Sequence, residues 1–198
     1  MKKGNLFVYS GPSGVGKGTI LDRIMQEDSN VYRSVSATTR SPRPNEVHGI
    51  HYYFMTEEEF SEGIRKNEFL EYVKTYNTSY GTLKKDVEDK LFEGKDVFLE
   101  IDVKGALNLK SSGVQAVYIF VAPIDIAVLR ERLIGRGTET LEKIEERLSI
   151  SSWELSKAKE YDYLLINDDL DKACDELRTI IKASRLLIRN FDLSKYKW

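Results

Sequence analysis

A run near the start of the chain, Gly11-Pro12-Ser13-Gly14-Val15-Gly16-Lys17-Gly18-Thr19, is made of the residue types that hold phosphate. Glycines let successive backbone N–H groups turn inward around an anion without Cβ clashes. A lysine adds a full charge that can bridge the β- and γ-phosphates of a nucleoside triphosphate. The apolar run Leu6-Phe7-Val8-Tyr9-Ser10 precedes it, and a helical pattern from Thr19 to Glu27 follows, with Ile20, Leu21 and Ile24 on one face. Strand, glycine-rich loop and helix in that order are the context that makes such a run a P-loop. The helix opening there aims its unpaired N–H groups and positive end at the phosphates. One slot departs from the general pattern. Gly18 stands where Ser or Thr is usual, and the hydroxyl comes one place later, which leaves Thr19 a lesser candidate for a direct metal bond.

Two further groups have chemistry in them. Ser36-Ala37-Thr38-Thr39-Arg40-Ser41-Pro42-Arg43 carries two arginines around a proline turn. Such a pair makes a rigid clamp for a phosphate dianion, or equally a solvated basic loop. Asp102 closes the apolar run Val97–Ile101, and strand C-terminal ends are where open α/β sheets build their sites. By themselves, Tyr52 and Tyr80 read as packing aromatics, and Glu71 as a strand residue with surface equally open to it.

The elements that must position these residues follow from periodicity. Leu6–Ser10, Val97–Ile101, Val117–Val121 and Tyr163–Ile166 are short apolar runs of the kind buried on both faces, separated by helical patterns. Ile126, Leu129 and Leu133 suit one helix, and Leu177, Ile180, Ile181, Leu187 and Ile188 suit a long C-terminal one. The expectation is an α/β fold: a P-loop NTPase-type parallel sheet flanked by helices. Two stretches break the alternation. About 34–87 contains the turn Arg40–Asn45, strand-like Tyr52–Phe54 and Phe69–Val73, and the capping-box start Thr56-Glu57-Glu58-Glu59. It reads as a small α+β insertion. About 135–155 is charged and helical, opens Gly135-Arg136-Gly137-Thr138, and suits a helical lid. The expected organisation is one domain, with a core of 1–33, 88–134 and 156–198.

Composition narrows the function class. The 198 residues carry 30 basic and 32 acidic side chains, a formal charge of −2, so no global basic excess draws the protein to nucleic acid or an anionic membrane. A polyanionic substrate must then be held by a local arginine and lysine cluster. No segment approaches the apolar length of a membrane span, and Gly11-Pro12 interrupts the N-terminal apolar run too early for a signal peptide. One cysteine, Cys174, excludes an intramolecular disulfide and reads as an inert packing residue, which points to the cytoplasm. Two histidines beside it give little support for a zinc site.

The order and spacing of several motifs then carry a resemblance. Gly11 to Thr19, Ser36 to Arg43, Gly49-Ile50-His51-Tyr52, Asn67-Glu68-Phe69-Leu70-Glu71, Tyr80-Gly81-Thr82, Asp102-Val103-Lys104-Gly105, Gly135 to Glu139 and Asn167-Asp168-Asp169 together resemble the guanylate kinase family over nearly the whole chain. The resemblance implies transfer of a phosphoryl group from ATP to GMP, giving ADP and GDP for guanine nucleotide supply. It makes 34–87 the GMP-binding part, and it implies Mg²⁺ with the ATP. Arg40, Arg43, Tyr52 and Tyr80 would hold the GMP phosphate. Glu71 would accept from the guanine N1–H and amino group, Ser36 and Thr82 would donate to O6, and Asp102 would touch the base edge or anchor Mg²⁺ through water. Gly11, Pro12, Ser13, Gly14, Val15, Gly16, Lys17, Gly18 and Thr19 would bind ATP, with Asn167 against the adenine. Lys17, Arg132, Arg136 and Arg147 would be catalytic, the arginines reaching the transferring group as the lid closes. Otherwise those arginines are helix-surface charge paired with Glu131, Glu142, Glu145 and Glu146. The partners implied are small molecules, with no nucleic acid and no membrane; a homo-oligomer stays open. Two rivals stand beside this: a guanylate-kinase-like module that binds phosphorylated peptides, against which the intact Lys17 and its glycines argue, and a kinase for AMP or UMP, against which Glu71 with Ser36 and Thr82 argues.

Overall fold

Every residue of β1 (Leu6–Ser10) is buried, so the strand has no solvent face and must lie inside the sheet. The computed structural model, which describes residues 3–74, 78–135 and 140–197, places it at the centre of five strands. The others are β2 (Val31–Arg33), β7 (Asp96–Glu100), β8 (Val117–Ala122) and β9 (Tyr163–Ile166), in the order β2-β7-β1-β8-β9. All four pairings are parallel, with Leu6 opposite Val97 and Phe7 opposite Val117. Successive β1 side chains enter opposite layers. Phe7 and Tyr9 join one apolar cluster, and Leu6 and Val8 the other. Phe7 stacks on Phe98 at 4.5 Å between ring centroids, which closes the first layer around the strand pair.

The helices follow the same division. The first layer takes Ile20, Leu21 and Ile24 of α1 (Lys17–Glu27), Leu129 and Leu133 of α5 (Ile126–Gly135), and Ile144 and Leu148 of α6 (Leu141–Ser156). It is completed by Ala173, Cys174, Leu177, Ile180 and Ile181 of α7 (Leu170–Ser184). The second layer takes Val87 and Leu91 of α3 (Lys84–Phe92) and Ala106 and Leu109 of α4 (Val103–Ser111). Helices on both faces of a parallel sheet are the architecture that the apolar runs predict.

Two expectations need correction. The C-terminal helix stops at Ser184, and Leu187 and Ile188 lie beyond it, partly or largely exposed in a turn. At the helix end Arg185 donates to Asp96 at 2.6 Å and Asp28 at 2.7 Å and ties the chain to the base of the sheet. Tyr163–Ile166 forms its strand but at the sheet edge, with Tyr163 and Leu164 exposed, so it is not buried on both faces as its apolar run predicts. The short edge strand β2 carries too little pattern to be read from sequence.

Residues between β2 and α3 build a second sheet, order β4-β3-β6-β5, from β3 (Ser36–Thr38), β4 (Tyr53–Phe54), β5 (Phe69–Lys74) and β6 (Ser79–Leu83). Helix α2 (Glu57–Arg65) starts on the capping box as read from the sequence: Thr56 Oγ1 accepts from Glu59 N–H at 3.1 Å and Glu59 Oε2 accepts from Thr56 N–H at 2.8 Å. Phe60 stacks on Phe69 at 4.3 Å to form the small core.

Candidate active site

The P-loop joins β1 to α1, and its glycines are there for space. Gly16 has φ +97°, and a Cβ on it would lie 2.4 Å from Asn167 Nδ2. Helix α1 begins on this glycine with no side-chain cap and no acidic residue in its first turn, so its N–H groups remain for an anion. Lys17 Nζ donates to the carbonyls of Gly11 at 2.6 Å and Pro12 at 3.1 Å, which folds its ammonium back over the loop. Thr19 is exposed in the first turn of α1.

Three side chains from distant parts of the chain brace the loop. Asn167, at the end of β9 and 6% exposed, donates its amide to Val15 O at 2.7 Å. Arg132 of α5 donates to the same carbonyl at 3.2 Å and to Asn167 O at 3.0 Å. Arg147 of α6 reaches Ser13 Oγ at 3.1 Å. Two of the three candidate lid arginines thus touch the loop, while Arg136 lies outside the described residues.

A cleft of about 740 Å³ opens beside the P-loop, lined by Gly11, Ser13 and Lys17 on one wall, Ser36 and Tyr52 on another, and Glu100, Asp102 and Glu154 between them. Asp102 caps α4, accepting from Gly105 N–H at 2.7 Å. The cap explains the residue type at that place, because a short carboxylate satisfies a first-turn N–H while its second oxygen stays available.

Glu71 sits near this cap. A β-bulge between Phe69 and Glu71 shifts the register, so that Glu71 rather than Leu70 faces Thr82. Thr82 Oγ1 donates to Glu71 Oε1 at 2.8 Å, and Thr82 pairs across the sheet with Ser36. Glu71 is 8% exposed, which removes the surface alternative. Burial pushes its carboxyl up to about 7, with Asp102 adding to the rise and Thr82 opposing it. The close fit of α4 needs Gly105, where a Cβ would meet Glu71 Oε2 at 2.8 Å.

Arg40, Tyr52 and Tyr80 form a third group. The Arg40 guanidinium lies 5.3 Å from the Tyr52 ring centroid and 5.9 Å from that of Phe54. The rings of Tyr52 and Tyr80 are 6.1 Å apart. Burial raises the Tyr52 phenol, which stays neutral and can donate. The Arg43 side chain is exposed on the same turn.

Two residues of this region were missed from sequence. Glu46 takes a bidentate pair from Arg40, both contacts at 2.9 Å. Glu154 of α6 lines the cleft, and burial pushes its carboxyl up to about 7 against the pull of Lys17. Glu154 read as one more acidic residue of a charged helix, and nothing local distinguishes it. Glu46 had a signal: an acidic residue closing a turn that opens on Arg40.

The donor set suits Mg²⁺ arriving with a nucleotide. Glu100, Asp102 and Glu154 offer hard oxygen ligands, yet no three acidic, His or Cys side chains among the described residues converge into a cage. A strongly hydrated ion held mainly by phosphates and water needs no more than that.

Comparison with known proteins agrees with the arrangement. The sequence model of the family described as Guanylate kinase matches residues 3–184. The guanylate kinase of Prochlorococcus marinus is 48% identical over 88% of this chain and 94% of its own length. That of Clostridioides difficile is 42% identical over 100% of this chain and 98% of its own. A crystal structure of guanylate kinase from Anaplasma phagocytophilum superposes with a TM-score of 0.75 at 29% identity, covering 94% of this chain and 89% of that one.

Proposed function

The chain belongs to the guanylate kinase family and transfers a phosphoryl group from ATP to GMP; from that premise we propose how its own residues divide the work. The P-loop N–H groups and Lys17 hold the ATP phosphates. Arg40, Arg43, Tyr52 and Tyr80 hold the GMP phosphate by guanidinium forks and phenol hydroxyls. Glu71, Ser36, Thr82 and Asp102 read the guanine. The acceptor is already a phosphate oxygen, so no strong general base is required, and catalysis is placement plus neutralisation of charge. Arg132, Arg136 and Arg147 supply that charge to the transferring group, with residues about 135–155 as a lid and about 34–87 as the GMP-binding part. Closure of both excludes water, which is a competing acceptor. Mg²⁺, when bound, neutralises the β- and γ-phosphates, and Asp102, with Thr19 a lesser candidate, would hold its water shell. Asn167 lies on the adenine side of the loop in this reading. The single Cys174 supports a cytoplasmic enzyme.

The observation that carries the assignment is the buried Glu71–Thr82 pair opposite Ser36. Guanine presents N1–H and an amino group to a carboxylate; adenine offers neither donor in that arrangement and would leave Glu71 unpaired. The test is turnover of GMP and AMP by Glu71→Gln. We expect kcat/KM for GMP to fall by about 100-fold and the preference for GMP over AMP to shrink. Unchanged discrimination would remove Glu71 from the guanine site.

A further inference from the structure

We propose that Glu46 is a positioning residue for GMP, fixing which edge of the Arg40 guanidinium faces the substrate phosphate. The inference rests on the reading that Arg40 binds that phosphate.

A guanidinium has five N–H donors arranged along its edges. In Arg40, Nη1 donates to Glu46 Oε2 at 2.9 Å and to Ser41 O at 2.8 Å, which uses both of its hydrogens. Nη2 donates one hydrogen to Glu46 Oε1 at 2.9 Å. Glu46 therefore occupies the end-on edge as a fork. The edge that remains is Nε–H with the second Nη2–H, and it has the bidentate geometry that suits a carboxylate or phosphate. Arg40 Nε is buried and has no hydrogen-bond partner among the described residues. A buried donor left unmade is costly, so a phosphate oxygen arriving on this edge relieves a penalty already present in the fold.

Glu46 is itself held. Its Oε2 accepts from Arg43 N–H at 2.7 Å, closing the turn, and Arg43 O accepts from Glu46 N–H at 3.0 Å. Tyr52 and Phe54 contact the guanidinium from their rings and keep it from rotating about its long axis. The Tyr80 hydroxyl is a further hydrogen-bond partner of the guanidinium. Arg40 and Glu46 leave only 18% and 17% of their side chains exposed, so the pair is more than a flexible surface contact. Two arrangements are conceivable for a carboxylate in this place. It competes with the phosphate for Arg40, or it stays and orients. The unpartnered Nε–H, on the side away from Glu46, argues for the second, because the phosphate can bind there without Glu46 leaving.

Steady-state kinetics on the full chain separates the two, using Glu46→Gln, Arg40→Ala and the double variant, each checked by thermal melting. Gln has one acceptor oxygen and cannot form the fork. We expect Glu46→Gln to raise the GMP KM by at least about tenfold, as for loss of a charge-assisted pair, with the ATP KM unchanged. In the double variant, loss of Glu46 should add little to loss of Arg40. A GMP KM that stays the same or falls in Glu46→Gln, while Arg40→Ala raises it, overturns the role of Glu46 alone; a fall means competition. A GMP KM unaffected by Arg40→Ala overturns the phosphate reading of Arg40 and this inference with it. Should the first variant melt early, Glu46→Asp carries the same comparison: it keeps two acceptor oxygens, and a GMP KM between parent and Arg40→Ala is expected, with any value at the parent's level counting against the fork.

Discussion

Glu71 is the residue at which fold and specificity meet most closely. A carboxylate kept from water holds its proton more tightly, and here the balance stands near neutrality, at about 7. Guanine's two N–H donors favour the ionised form, so the pH at which GMP binds weakly can be derived. As pH falls from about 8 to about 6, the protonated fraction of Glu71 grows, and the GMP KM should rise by about tenfold. The phosphate of GMP also titrates in this range, but equally in Glu71→Gln, so the difference between the two KM profiles isolates the carboxyl; matching profiles would count against it. Stability of the nucleotide-free protein runs in the opposite sense. A raised carboxyl pKa stabilises the nucleotide-free protein fully below about pH 4.5, and that contribution, on the order of 3 kcal/mol, is lost as pH rises through about 7.

At the scale of elements, the P-loop is held by what lies behind it as much as by its own glycines. Asn167 at the end of β9 gives its amide to Val15 O, a contact between residues 152 apart in sequence. Replacing it in Asn167→Ala should cost about 1–2 kcal/mol of stability through the part-unsatisfied carbonyl, and should raise the ATP KM more than the GMP KM. Thermal melting and the two KM values check this together. Such a contact also marks where sequence reading stops. The strands β1, β7, β8 and β9 were legible because continuous apolar runs have one good explanation, and the P-loop and capping box because their residue types have local mechanisms. The bulge that turns Glu71 toward Thr82, the fork between Glu46 and Arg40, and the place of Glu154 depend on which side chains distant segments bring together. No local period encodes that. The resemblance to a family supplied Glu71, Tyr52 and Tyr80, which spacing alone had left as packing or surface positions.

Across the whole molecule, the two ends of the parallel sheet do different work. The C-terminal ends of β1 and β7 carry the P-loop and Asp102, while the opposite ends are tied together by charge. Asp96 at the start of β7, 4% exposed in its side chain, accepts from Asn5 N–H and Nδ2 at 2.9 Å and pairs with Arg185 at 2.6 Å. Arg185 also holds Asp28, and Asn190 Nδ2 donates to Asn5 Oδ1 at 2.7 Å. Breaking this network by Asp96→Ala leaves Arg185 and Asn5 short of an acceptor and should cost about 3 kcal/mol, lowering Tm by roughly 10 °C. The GMP and ATP KM values at 25 °C should stay within about twofold of the parent, since the site is at the far end of the strands.

The strand order has a consequence for how the chain is made. Leu6 must find Val97, and Phe7 must find Val117, with the entire second sheet intervening between the first pair. During synthesis the N-terminus emerges first, so the fully buried central strand β1 waits on the ribosome without either neighbour. The sheet of β3 to β6, whose pairings are closer in sequence, can assemble in that interval. Once β7 arrives, the ordered sheet shortens the loop that β1 must close. An insertion that serves the substrate in the finished enzyme is then also the piece of chain that brings its central strand home.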